Sequence, residues 1–142
     1  MKQSLTRGSA AVAIFLAGIW VGKISSADAA GRSRVFEIRT YTANEGKLDA
    51  LHARFRNHTT RLFEKHGMTN VGYWKPLDEP LSKNTLIYLL AYPNREAAKK
   101  AWEEFRKDPV WLKAKQESEV NGALTAKVDS VYLEATDYSN LR

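Results

Sequence analysis

Thr85–Tyr92, TLIYLLAY, carries no charge, no Gly and no Pro, and nearly every residue in it is aliphatic or aromatic. Successive side chains of a strand point to opposite faces, so a run with no polar alternate is a strand covered on both sides. With 142 residues and 44% hydrophobic content, the chain can build one core and lacks the length for two full domains. It can cover one face of that strand with its own helices. The other face asks for something else, such as a second copy of the chain.

Upstream, Pro76 and Pro80 make PLDEPLSKN a loop, long enough to cover a cavity mouth. Before it, Met68–Trp74 (MTNVGYW) is a strand in which Gly72 marks a bulge or a close approach. Gly67 suits the left-handed residue that ends a helix. Ahead of it, Leu48, Leu51, His52, Phe55, Thr59, Leu62, Phe63 and His66 recur at threes and fours, a single buried stripe. Thr42 and Glu45 have the capping-box spacing, which places the start of that helix near Glu45. Val35–Tyr41 (VFEIRTY) alternates as a first strand, with Phe36, Ile38 and Thr40 on one side and Val35, Glu37, Arg39 and Tyr41 on the other.

Downstream, Pro93 ends the apolar strand and Asn94 caps a helix whose stripe is Ala97, Ala98, Ala101, Trp102 and Phe105. Asp108-Pro109 stops that helix and opens a short third one, Asn121-Gly122 is a turn, and Lys127–Glu134 is the last strand. The order β, α, β, β, α, (α), β predicts an α+β fold of the ferredoxin-like βαββαβ kind: a four-stranded antiparallel sheet with helices on one face. The first and third strands are central in that topology, which agrees with the apolar run being the third. The open sheet face is too apolar to stay wet, which predicts a homodimer joined sheet to sheet as a dimeric α+β barrel.

Residues 1–29 read as a targeting segment and residues 30–142 as the single folded domain. Lys2 and Arg7 precede the apolar run Ala10–Gly22, and Ala27-Asp28-Ala29 has the shape of a cleavage site. The expectation is export to the periplasm or outside the cell through a cleaved signal peptide, with an uncleaved N-terminal membrane anchor as the other reading. Removing the segment takes away Lys2, Arg7, Lys23 and Asp28 and lowers the net charge from +6 to +4. The remaining charge is spread among acidic residues and not gathered in a run, so nucleic acid is not an expected partner. With no cysteine, thiolate catalysis, disulfides, iron–sulfur clusters and Cys-based zinc sites are excluded. There is no Gly-rich phosphate loop and no G-x-S-x-G motif.

FEIRTYTANEGKLDALHARFRNHTTRLFEKHGM, VGYW, TLIYLLAYPNREAAKKAWEEFRKDPVW and VDSVYLEATDYS, taken together, resemble the NIPSNAP family of the dimeric α+β barrel superfamily, over roughly Val35–Ser139. The resemblance implies the same fold and the same dimer. It implies little about chemistry, because the mitochondrial eukaryotic members are described mainly as interaction proteins and no catalytic motif carries over residue by residue. The N-terminus also departs from an Arg- and Ser-rich mitochondrial presequence.

If Phe36 and Ile38 meet the helices, Glu37, Arg39 and Tyr41 face the interior of the dimer barrel, where Tyr88 on the third strand adds a hydroxyl. A carboxylate, a guanidinium and phenols in a half-dry cavity suit a small polar or phenolic ligand; the bland counterpart is an ion pair that fixes dimer register. Tyr73 and Trp74, with Trp102, are candidates for an aromatic wall, although such residues usually belong to the core. His66 lies at a helix end, where it caps carbonyls or meets the helix dipole. His52, His58 and His66 are spaced too far apart for a helical metal site. The expected function is binding of a small aromatic or hydrophobic ligand, or of a protein. The alternative is a cofactor-free oxygenase-like enzyme acting on an aromatic molecule in the cavity, and neither reading brings in a cofactor.

Overall fold

The computed structural model describes residues 34–142. The expected signal or anchor, residues 1–29, lies outside the described residues. Strands β1 (Val35–Ala43), β2 (Thr69–Trp74), β3 (Thr85–Tyr92) and β4 (Thr125–Glu134) form one antiparallel sheet in the order β2-β3-β1-β4. The apolar β3 is paired on both edges, and its neighbour β1 is the other central strand. Helices α1 (Leu48–Arg54), α2 (Thr60–Lys65), α3 (Arg95–Lys107) and α4 (Pro109–Ser118) pack on one face of the sheet. This is the ferredoxin-like α+β fold.

Helical backbone runs from α1 into α2 through a π-turn, Phe55–Thr59, in which the Thr60 amide reaches back to the Phe55 carbonyl. The wider turn absorbs one residue, so Leu51, Phe55, Thr59, Leu62 and Phe63 are all buried. Gly67 follows at φ +78, and the amides of Gly67 and Met68 close onto the carbonyls of Glu64 and Phe63 at 3.0 and 2.9 Å. Asn94 caps α3 by accepting from the Ala97 amide at 2.8 Å; Asp108 caps α4 by accepting from Val110 at 2.8 Å, with Pro109 in the first turn.

Two expectations need correction, and one open alternative is decided. The Thr42–Glu45 pair does not cap α1: Thr42 belongs to β1, paired with Thr85 and Lys127, and the helix opens at Leu48 behind an uncapped Lys47. The loop after β2 holds only a 3₁₀ turn, Leu81–Lys83, and lines none of the cleft described below. More consequential is the facing of β1, which its alternation leaves open. Glu37, Arg39 and Tyr41 point toward the helices, together with Leu86, Tyr88, Leu90 and Tyr92 of β3, whereas Phe36, Ile38, Ile87 and Leu89 lie on the open face. The aromatic side chains decide this, because Tyr41, Phe55, Phe63, Tyr73 and Tyr88 interlock with ring centroids 5.2–6.2 Å apart. Phe36 and Ile38 offer that cluster nothing that Tyr41 does not.

Candidate functional site

β1, β4 and α3 together enclose a cleft of about 570 Å³. Its floor is Glu37 and Arg39 of β1 with Ser130 and Tyr132 of β4, and its wall is the face of α3 that carries Arg95, Lys99, Trp102 and Arg106. Positions 95, 99, 102 and 106 are separated by four, three and four residues, so one stripe of α3 presents all of them. The stripe borders the buried one formed by Ala98, Ala101 and Phe105.

Glu37 holds the site together. It is 1% exposed, yet each carboxylate oxygen accepts two hydrogen bonds: Arg39 Nη1 at 2.6 Å and Ser130 Oγ at 2.5 Å on Oε1, Tyr92 Oη at 2.6 Å and Trp102 Nε1 at 2.7 Å on Oε2. Burial on its own would raise the Glu37 pKa, but the bonds from Ser130, Tyr92, Trp102 and Arg39 outweigh it and hold the carboxyl below its ordinary 4.5. The carboxylate is therefore ionised at neutral pH and has no lone pair left for a substrate proton. Burial and the bond to Glu37 push the Tyr92 hydroxyl far above the ordinary phenol range.

With Glu37 occupied in this way, Arg39 is fixed across the face of Trp102, its guanidinium carbon 4.2 Å from the ring centroid. Its Nε is buried without a hydrogen-bond partner among the described residues. Arg95 lies over the Tyr132 ring at 3.3 Å. Lys99 and Arg106 add further positive charge at the mouth, against Glu96. The cleft is a cationic slot with one indole and one phenol for walls, suited to a flat anion.

The other residues singled out from the sequence are dispersed. Tyr41 lines a second cavity farther along β1. Tyr88 is wholly buried between Tyr41, Phe55 and Tyr73, its hydroxyl without a hydrogen-bond partner among the described residues and burial raising its pKa well above the ordinary phenol value. Tyr73 stacks on Tyr88 at 5.3 Å and donates to Asn70, while Trp74, the next residue on the strand, turns to the open face beside Gly72. Tyr73, Trp74 and Trp102 therefore form no common wall. Nor does His66 line the cleft or cap carbonyls with its ring: Nε2 lies 2.7 Å from Asp108 Oδ2, which also accepts from Lys65 Nζ at 2.6 Å. Lys65 first, then His66 and the Val110 amide, hold the Asp108 carboxyl far below the usual range against the opposing effect of burial.

Sequence reading found Glu37 and Arg39 but missed Tyr92, Ser130 and the α3 stripe. The stripe had a legible signal, three basic residues at helical spacing around a Trp. Glu37's other partners had none, since Tyr92, Trp102 and Ser130 lie 55, 65 and 93 residues away in the chain.

Solved structures share the fold. A NIPSNAP family protein of unknown function from Agrobacterium tumefaciens superposes with a TM-score of 0.68 at 19% identity, covering 78% of this chain and 96% of the other. An uncharacterised NIPSNAP-like domain protein from Burkholderia xenovorans gives 0.66 at 16%, covering 77% and 90%. SnoaB, a cofactor-independent oxygenase from Streptomyces nogalater, gives 0.54 at 12%, covering 78% and 99%. No curated protein matches the chain. The NIPSNAP family model matches residues 36–140, nearly all of the described fold, and the chain belongs to the NIPSNAP family.

Proposed function

We propose that this protein is an exported, homodimeric binding domain whose cleft beside Trp102 takes a small flat anion, an aromatic carboxylate by chemical class. The observation that carries the reading is the saturation of Glu37. A carboxylate that already accepts four hydrogen bonds serves to position Arg39 and Trp102, so the cleft is organised around a fixed cation on an aromatic face, with Arg95, Lys99 and Arg106 around it. Export is supported by the character of residues 1–29. Dimerisation is supported by the apolar open face of the sheet, where Trp74, Val131 and Leu133 are exposed and Ile38, Ile87 and Leu89 half-buried.

Titration with 2-naphthoate and 2-naphthamide, followed by the Trp102 indole resonance in nitrogen-15 spectra, tests the ligand class. The expected result is saturable binding of the acid, weakened by salt, at least about tenfold weaker binding of the amide, and a loss of similar size in Lys99→Glu/Arg106→Glu. Equal affinity for acid and amide, or indifference to the double charge reversal, would sink the reading.

The oxygenase alternative draws on the fold shared with SnoaB. It needs a base near the ligand, and among the described residues that line the cleft Glu96, at the rim, is the one carboxylate free of the Glu37 network. Oxygen uptake on adding 1-hydroxy-2-naphthoate, lost in Glu96→Gln while binding persists, would favour it over simple binding.

A further inference from the structure

We infer that a second, chemically different ligand site lies between α1, α4 and β4: an aromatic cavity that takes a neutral two-ring molecule bearing one carbonyl oxygen. The cavity is about 270 Å³, walled by the rings of Tyr41, Phe55, Phe63, Phe105 and Trp111 and floored by Val128 of β4. Arg54 enters this lining from the last residue of α1, immediately before the π-turn. Its side chain is 4% exposed; Nη1 donates to Glu119 Oε1 at 2.8 Å and Ser118 Oγ at 3.3 Å, and the guanidinium lies 5.2 Å from the Trp111 ring.

Two observations point to an occupant. Among the described residues the buried Nε–H of Arg54 meets no acceptor, so this donor loses its hydration without compensation unless something in the cavity accepts from it. The space beside it is far larger than one water needs, and five rings with Ala123 and Val128 make its lining mainly apolar, which a cluster of waters would wet poorly. A flat apolar body with a single acceptor answers both. A second anion does not fit as well, because Glu119 already neutralises Arg54 and its carboxylate shares the lining, while Lys115 is exposed at the rim. The site is separate from the anionic cleft, since the two share no lining residue, and it stands or falls independently of the ligand proposed there.

The test is a matched pair of probes, 1-indanone and indane, titrated into the nitrogen-15-labelled full chain while the Trp111 and Trp102 indole resonances are followed. Indanone is expected to shift Trp111 saturably and Trp102 much less, with indane at least about tenfold weaker for want of the oxygen. Val128→Trp, at a half-exposed position on the cavity floor, is expected to abolish the Trp111 response with the melting curve unchanged. Equal binding of indane and indanone, no Trp111 shift with either, or undiminished binding in Val128→Trp overturns the inference. The comparison of the two probes on the unmodified chain keeps it falsifiable even if that variant does not fold.

Discussion

Glu37 shows how one side chain fixes the chemistry of its surroundings. Replacing it with Ala leaves Arg39, Trp102, Tyr92 and Ser130 without an acceptor, and the expected loss of unfolding free energy in urea is about 3–5 kcal/mol, the usual result of breaking a buried charged network on one side. The same carboxylate sets a pH dependence. Its folded pKa lies below 4.5 and that of Asp108 below 3.8, so the unfolded chain takes up these protons first as pH falls. The stability they contribute is complete above those ordinary values and is lost as pH drops through the folded ones. The contribution of these two carboxylates to the urea midpoint should be constant from pH 7 to about pH 5 and decline below, with a shallower decline in Asp108→Asn, while His52, whose pKa burial lowers, adds a separate loss as pH falls below 6.5. The alternation of β1 disclosed that Glu37, Arg39 and Tyr41 share a face. It could not say which face met the helices, because Phe36 and Ile38 are as apolar as Val35 and Tyr41, and the choice rests on rings contributed by four other elements.

Elements with local punctuation were the most legible. α3 begins and ends where Asn94 and Asp108-Pro109 place it, and the helix before β2 stops at Gly67. Gly67→Ala puts a Cβ on a residue at φ +78, and the expected cost is about 1–2 kcal/mol, read as a lower melting temperature with the fold retained. Asn94→Ala removes the acceptor of the Ala97 amide and should cost about 1 kcal/mol. The start of α1 was misplaced for a physical reason. The capping-box spacing of Thr42 and Glu45 competes with a ladder in which Thr42 has a partner on each side, and the ladder wins because it satisfies more backbone groups. The π-turn left no sequence signal, since buried Arg54 sits where the periodicity asks for a solvent-facing residue.

At the scale of the molecule, the order of elements and the charge-free β3 were enough to give the topology, because a strand paired on both edges and covered by helices tolerates no polar alternate. The location of the cleft was not legible, since it depends on α3 crossing above β1 and β4. The proposed dimer has its own test: Leu89→Lys, at the centre of the open face, should halve the mass measured by light scattering and leave the circular dichroism unchanged. A Leu89→Lys chain that keeps the wild-type mass would remove that face from the interface. β4 has a further consequence. Its outer edge carries a row of backbone amides and carbonyls that no strand among the described residues meets, and none of its side chains is buried. Such an edge is a template on which any extended segment can add by main-chain bonding. The Lys127–Asp129 pair places charge along it, so an incoming strand must leave that ion pair in water or bury it at the cost of its hydration. The chain thus carries its own selection rule for what can extend its sheet.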